Sequence, residues 1–479
     1  MKQRFEHFTL KLTLILFIFV LTQSQAQTTW TLQKCVDYAR TNNLSLQQSK
    51  LTTETAKIKI EQSSASMFPS LNGNASHSYN FGRTIDLFTN TFATNRVLSD
   101  NFSLTGSVNV FNGFQLRNNL KQSHLDFMSS QLDVQKLEND LSMNVVSAYL
   151  QILYADENLA IAQKQSEITL KQLENTKNLV EAGSIPRGNL FEIQSQIAND
   201  ELTIVNSQNA VDMAYLGLKQ LLDLDSVKDF KIEKPKIDIP AENVLNTNPD
   251  EVYLTAITKL PEVRSAYLKY ESSMTGLALA TGQRYPRLTI SGSIGTGYSD
   301  ARERIKDYQL GPPNIIGYLP TGDSVYSSVP SYTVNYEKTP FSDQLKDNVN
   351  KSFGLFLTVP IFNGWSTKSS ISRAKISVEN SRLNQEIVKN SIRKSVQQAY
   401  ADALAAFRKY EATQKAKAAA DEAFKNAEQR FKAGNLPAFD FLTSKNNLAK
   451  TESGLIQAKY DYIFKLKILD FYQGKSLTF

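Results

Sequence analysis

The sequence repeats itself, and it does so at two different distances. Phe102–Phe114 reads FSLTGSVNVFNGF and Phe353–Trp365 reads FGLFLTVPIFNGW, with six of thirteen positions identical at an offset of 251. The same offset carries Ala148-Tyr149 onto Ala399-Tyr400, Ala182-Gly183 onto Ala433-Gly434, and Pro186 onto Pro437. Upstream the offset is 217. There Asn43-Leu44-Ser45-Leu46 answers to Leu260-Pro261-Glu262-Val263, and Phe68-Pro69-Ser70-Leu71 to Tyr285-Pro286-Arg287-Leu288. A repeat held over this distance restricts the fold to two copies of one larger unit. The copies are residues 27–240 and 241–479. The 34-residue difference between the offsets is an insertion in the second copy, within Asp300–Asn350. An insertion that leaves both flanks in register belongs in an exposed loop, predicted here to face outward at about 300–350.

Each copy holds two stretches of strict alternation. Leu71, Gly73, Ala75, His77, Tyr79 and Phe81 alternate with Ser and Asn, and Phe102, Leu104, Gly106, Val108 and Val110 with Ser, Thr and Asn. The second copy gives Leu288, Ile290, Gly292 and Ile294, then Phe353, Leu355, Leu357, Val359 and Ile361. Period two predicts strands with one apolar and one polar face. Each runs about 10 residues, the length of a tilted transmembrane β-strand. Their polar faces are almost uncharged, as a wet lumen lining requires. Four strands are thin for a soluble sandwich in a chain of this length.

The rest reads as helix. Phe114–Ala182 and Trp365–Ala433 each run 69 residues without Gly or Pro, so each predicts a helix of about 100 Å. Val134, Leu137, Leu141, Val145, Ala148 and Ile152 form a narrow 3/4 stripe, as do Val388, Ile392, Val396, Ala399, Ala403 and Ala406. Stripes this narrow are coiled-coil seams. Leu32–Met67 and Arg187–Leu222 each predict a helix about half that length. A small element is expected where residues 223–250 join the copies.

Residues 1–26 predict a secretory leader. Lys2 and Arg4 precede the apolar run Leu12–Leu21, and Ser24-Gln25-Ala26 supplies small residues for cleavage. The run is half the length of a spanning helix. The whole chain carries a formal charge of +6, and without the leader +4, which is too balanced for nucleic acid to be the main partner. One Cys and three His exclude a disulfide framework and a Cys/His zinc cluster. Cys35, among apolar neighbours, reads as a core thiol. No catalytic constellation, phosphate loop or cofactor motif is present.

A four-stranded sheet in a bilayer has two open edges, and unpaired backbone groups in hydrocarbon force it to close. Outer-membrane barrels need at least eight strands, so two chains would give 8 and three would give 12. Gly113 and Gly364 allow the turn from strand into long helix, so closing the sheet gathers the helices into a tube. The rival reading is a non-conducting structural coiled-coil protein of the cell envelope. A self-contained porin falls short in strands.

Phe111-Asn112-Gly113 and Phe362-Asn363-Gly364 are the strand-to-helix turns. With its doubled layout, paired Phe/Tyr-Pro strand entries, Pro360-Ile361-Phe362-Asn363-Gly364 and the Ala-Gly turns at Gly183 and Gly434, the sequence resembles the TolC-like outer-membrane efflux proteins. The resemblance spans nearly all of the mature chain. It implies a mixed fold of α-helix and transmembrane β-strand. Four strands per chain complete a 12-stranded trimeric outer-membrane barrel, continued by a long α-helical coiled-coil barrel in the periplasm. It implies a homotrimer in outer-membrane lipid that works with a periplasmic adaptor and an inner-membrane pump of RND, ABC or MFS type. It also implies that the turns at Gly183, Pro186 and Asn189, and at Gly434, Leu436 and Pro437, form the tunnel mouth where the adaptor docks. Asp440 stands at the family's spacing for an acidic ring, with Glu192 as a further candidate. The family's latch of Tyr, Arg and Asp is replaced by Phe431, Leu436 and Asn189. An apolar constriction through Phe431 and Leu436 is the expectation that follows.

Overall fold

The computed structural model describes residues 29–86, 88–93, 96–224, 230–235 and 248–475. The predicted leader lies outside them. Two compact units result. One takes the chain up to Ala56, with Leu125–Glu271 and Glu379–Phe479. The other takes Lys57–His124 and Ser272–Val378.

Copy one runs α1 (Leu32–Asn42), α2 (Leu44–Ala65), β1 (Ser70–Asn80), the short β2 (Thr84–Ile85) and β3 (Phe92–Ala93), β4 (Val97–Phe111), α3 (Gln115–Glu181) and α4 (Gly188–Leu221). Copy two opens with α5 (Pro249–Lys259), α6 (Pro261–Gly282) and β5 (Arg287–Ser299). It continues with β6 (Glu303–Leu310), β7 (Ile315–Tyr318), β8 (Ser324–Tyr326), β9 (Tyr332–Lys338) and α7 (Phe341–Asp347). It ends with β10 (Asn350–Thr358), α8 (Ser366–Lys432) and α9 (Ala438–Tyr472). The offset of 217 carries α1 and α2 onto α5 and α6 at both ends. The offset of 251 carries α3 onto α8 at both ends, each 67 residues long.

The strand unit is built on an antiparallel sheet of order β1-β4-β5-β10. Its two hairpins share one register. Ser70 faces Ser107 in the first, and the positions carried over by the two offsets, Arg287 and Thr358, face each other in the second. The edge strands β1 and β10 are exposed along almost their whole length.

Two sequence expectations are corrected. Residues 300–350 are not merely a loop. They hold the ribbons β6–β9 and β7–β8, and α7 puts the buried Gln344 against the end of β5. The Gln344 amide donates to the carbonyls of Ser299 and Thr339 at 2.8 and 3.0 Å, and its oxygen accepts the Ser299 N–H at 2.9 Å. The second correction concerns Leu32–Met67, which is not one helix. It breaks at Asn43, where φ is −61° and ψ 123°, and the Asn43 carboxamide accepts the Leu46 N–H at 3.1 Å. Copy two breaks at the matching Leu260, with ψ 130°, because Pro261 disfavours helical geometry in the residue before it.

Two of the cores in the helical unit take up the predicted seams. One gathers Cys35, Ala39, Leu46, Val134, Leu141, Val145 and Ile152 with Trp30 and Phe230. The other gathers Val252, Ala256, Val263, Ile392, Val396, Ala403 and Ala406. Most positions of both predicted seams are therefore buried, with Leu137, Ala148 and Val388 half-buried against them. Part of the expected joining element is described: Trp30 forms a parallel bridge with Ile232, and the Tyr149 hydroxyl donates to the Glu233 carbonyl at 2.6 Å. Residues 225–229 and 236–247 of that segment lie outside the described residues.

Cys35 occupies the place that Val252 fills in copy two, and both are buried. Burial pushes its thiol up to about 12, opposed by the Lys34 charge. Only the thiolate reacts with maleimides. The folded protein at neutral pH is therefore expected to resist labelling, with full labelling after denaturation. Rapid labelling of the native protein would contradict this placement.

Candidate functional site

The candidate site has two parts, the turns that end the long helices and the turns that begin them. Gly183 and Gly434 have φ of +71° and +74°. The Gly183 N–H bonds to the Val180 carbonyl at 3.0 Å and the Ser184 N–H to Leu179 at 2.9 Å. The Gly434 N–H bonds to Phe431 at 2.9 Å and the Asn435 N–H to Arg430 at 2.8 Å. This paired pattern satisfies the last carbonyls of a helix and needs a left-handed residue, which glycine supplies without strain. Pro186 and Pro437 then start the return. The far ends of the return helices repeat the device. Gly474 has φ +70°, and its copy-one counterpart Asp223 holds +54°.

Asp440 lies in the first turn of α9, exposed, where the helix dipole favours a carboxylate. Glu192 is exposed on α4. Among the described residues neither makes an ion pair, so both charges face solvent. Asn189, half-buried, is the copy-one counterpart of Asp440, and Glu192 the counterpart of Thr443. Pro186 and Pro437 are exposed.

The apolar constriction is revised by the packing. Phe431 is buried, with its ring stacked on Phe441 at 4.9 Å. It joins Ile193, Phe424 and Leu442 in a third core, so its ring is engaged inside the chain rather than offered to a pore. Leu436 packs on the same cluster while half-exposed. The exposed aromatics near these turns are Phe191 and Phe439, which lie off the seam positions that sequence reading followed.

A charged group was also missed. Lys445 of α9 is fully buried, and its ammonium lies 2.5 Å from Asp200 of α4 and against the Thr169 hydroxyl of α3. Burial lowers the Lys445 ammonium below its ordinary value, while the hydrogen bond and charge of Asp200 hold it up. The signal lay in α3, where Gln165, Thr169, Gln172 and Thr176 continue at helical spacing with polar side chains, all buried.

At the other turns, Gly113 and Phe114 have φ of +66° and +61°, and Gly364 and Trp365 have +61° and +66°. The Asn of each Phe-Asn-Gly triplet caps the helix that follows. Asn112 accepts the Leu116 N–H at 3.3 Å and Asn363 the Thr367 N–H at 3.5 Å. Phe111 stacks edge-on against Phe114 at 5.4 Å, while Phe362 is exposed. Gly113 abuts the end of α6: a Cβ added to it would lie 2.2 Å from the Gly282 carbonyl oxygen.

Comparison with known proteins agrees with this geometry. The family model described as outer membrane efflux protein matches residues 35–223 and again 252–474, bounds that differ by the two offsets. Outer membrane protein TolC of Escherichia coli strain K12 is 23% identical over 438 residues, covering 90% of this chain and 80% of the relative. Outer membrane efflux protein BepC of Brucella suis is 19% identical over 445 residues, covering 92% and 84%. Among solved structures, CusC superposes with a TM-score of 0.73 at 17% identity, covering 93% of this chain and 92% of that one. The Campylobacter jejuni CmeC outer membrane channel gives 0.73 at 16% identity, covering 93% and 87%.

Proposed function

The chain belongs to the outer membrane efflux protein family, and from that premise we propose that three copies form a passive exit duct for an inner-membrane pump and its periplasmic adaptor. The family consists of channels rather than enzymes, and its members are outer-membrane proteins. The observation that carries the reading is an incomplete sheet. Its four strands leave two exposed edges bearing apolar residues such as Phe353 and Leu357, which is untenable in lipid until the edges pair. Three chains supply 12 strands, within the range of outer-membrane barrels.

In this duct the turns at Gly183 and Gly434 form the periplasmic mouth and receive the adaptor. Asp440 and Glu192 ring that mouth with carboxylates, which attract cations and repel anions. The pump supplies selectivity and energy, and the duct supplies passage.

The purified oligomer in planar bilayers is expected to conduct ions and to favour cations. Asp440→Asn combined with Glu192→Gln is expected to lower that preference several-fold while conduction persists. An assembled, lipid-inserted protein that passes no current would sink the duct reading and leave a structural coiled-coil protein.

A further inference from the structure

We propose that the β6–β9 ribbons of neighbouring copies pack apolar face to apolar face over the outer mouth of the duct. The inference rests on the three-copy duct proposed above and gives a role to the segment inserted in copy two. Backbone bonds beyond the named strands join β6–β9 and β7–β8 into one bent hairpin. The Thr339 N–H donates to the Arg302 carbonyl at its base, the Gly311 N–H to Ser331 in its middle and the Leu319 N–H to Asp323 near its tip, at 2.9, 2.8 and 2.9 Å. The hairpin grows from the end of β5, opposite the end of the sheet that leads into the long helices.

Register sorts the ribbon's side chains into two unlike faces. Tyr332 lies opposite Leu310, Val334 opposite Tyr308 and Tyr336 opposite Ile305. Alternation along β9 puts Tyr332, Val334 and Tyr336 on one face. On β6, strict alternation would set Ile305 on the other side from Tyr308 and Leu310. The register skips Lys306, and that extra residue brings all three to the face of the tyrosines. The second face is polar and satisfied within the ribbon. Arg304 bridges Glu337 at 2.7 Å, and the Asn335 amide donates to Asp307 at 2.7 Å. The apolar face has no comparable cover: Leu310 is 75% exposed, Tyr308 62% and Tyr336 60%.

A two-stranded ribbon is marginal by itself in water, so this face needs a partner. Lipid does not supply it, because a collar of charge stands between the sheet and the ribbon. Lys338 meets Asp300 at 3.5 Å, Arg302 meets Asp347 at 3.2 Å and Arg304 meets Asp343 at 3.0 Å. Such groups are costly in hydrocarbon, so the bilayer interior ends below the collar and the apolar face begins beyond it. The same face on the next copy is the partner that fits. Its six side chains carry no charge, so identical faces do not repel. Tethering at one rim gives the ribbons a local concentration in the millimolar range. About 500 Å² of apolar side chain is open on each, so three bring together roughly 1,500 Å², the size of a standard stable interface. Their reach also suffices. Twelve strands about 4.8 Å apart and tilted about 40° enclose a barrel roughly 24 Å across. The eight residues of β6 extend about 26 Å, so three ribbons leaning inward meet above the axis.

The test combines cross-linking and conductance on the full-length protein. Single variants Leu310→Cys and Tyr332→Cys, on the apolar face, are treated in outer membranes with a short bis-maleimide. Gln309→Cys and Thr333→Cys place the thiol on the polar face of the same two strands. Cys35 is buried, and the unaltered protein gives the unlinked background. Linked dimers are expected from the apolar-face variants and several-fold fewer from the polar-face variants. A second readout locates the contact. Leu310→Asp with Tyr332→Asp drives the faces apart and is expected to raise single-channel conductance in planar bilayers several-fold.

Equal linking from both faces overturns the self-packing, as does none from the apolar face in protein that still migrates as an oligomer on unheated gels. Linking by the apolar face together with unchanged conductance in the aspartate variant overturns the place over the mouth. Quenching of a fluorophore on Leu310→Cys in vesicles of brominated phosphatidylcholine hands the face to lipid instead. In each of these cases the duct stands. Protein that never forms an oligomer overturns the duct reading itself.

Discussion

Replacing Lys445 by methionine is expected to destabilise the helical unit by about 3–5 kcal/mol, the usual cost of stranding one member of a buried ion pair. The substitution keeps most of the volume and removes the charge, which leaves the Asp200 carboxylate buried beside Thr169 with no cation. Packing loss alone would be small, because the lysine stem and the methionine side chain fill similar space. The diagnostic is therefore the double variant. Lys445→Met with Asp200→Leu removes both charges and is expected to recover most of the loss, since buried pairs exchanged for apolar residues often cost little. Thermal unfolding followed by far-ultraviolet circular dichroism gives the comparison. Equal losses in the single and double variants would show that shape, not charge pairing, holds these three helices together. A wild-type-like midpoint in the single variant would place Lys445 in water, against its observed burial.

Gly113→Ala is expected to cost about 2–5 kcal/mol, from two sources. A left-handed backbone penalises any Cβ by roughly 1–2 kcal/mol. Forcing that Cβ into space 2.2 Å from the Gly282 oxygen adds roughly 1–3 kcal/mol of overpacking. Two further variants separate the sources. Gly183 shares the positive φ but meets nothing within 4 Å, so Gly183→Ala is expected to show the backbone penalty alone. Gly282 has no positive φ, yet an added Cβ would lie 2.6 Å from the Gly113 oxygen. Gly282→Ala is therefore expected to show the crowding alone. The midpoint of thermal unfolding ranks them, with Gly113→Ala lowest. If Gly113→Ala matched Gly183→Ala, the close approach of the two backbones would be refuted.

Much of this architecture was open to sequence reading because the determining signals are local or periodic. The absence of Gly and Pro between Phe114 and Ala182 dictates the long helix, and alternation from Phe353 dictates β10. What escaped depends on information that periodicity does not carry. Asn43 and Leu260 break their helices through unrelated means, a side-chain cap and a following proline, and neither disturbs the apolar pattern. Phe431 stands at a position of the family's latch and so reads as a constriction residue, whereas its stacking partner Phe441 comes from the next helix. The Lys445–Asp200 pair joins residues 245 positions apart, and a lone lysine on a helix ordinarily points to water. The small ribbons between β5 and β10 escaped because prolines and tyrosines at that density read as turns. At the candidate mouth, the glycine turns were legible because each needs a residue that tolerates a left-handed backbone. The engagement of the phenylalanine beside Gly434 was not, because it is a property of packing.

The β6–β9 and β7–β8 ribbons belong to one half of the chain only. A ring assembled from identical half-length polypeptides would have to carry such an appendage at every hairpin or at none. Fusing two halves into one gene product lifts that restriction. Decorations of unequal size can then alternate, the larger ribbons at one hairpin and the small β2–β3 pair at the other, and the two halves are free to drift toward different duties.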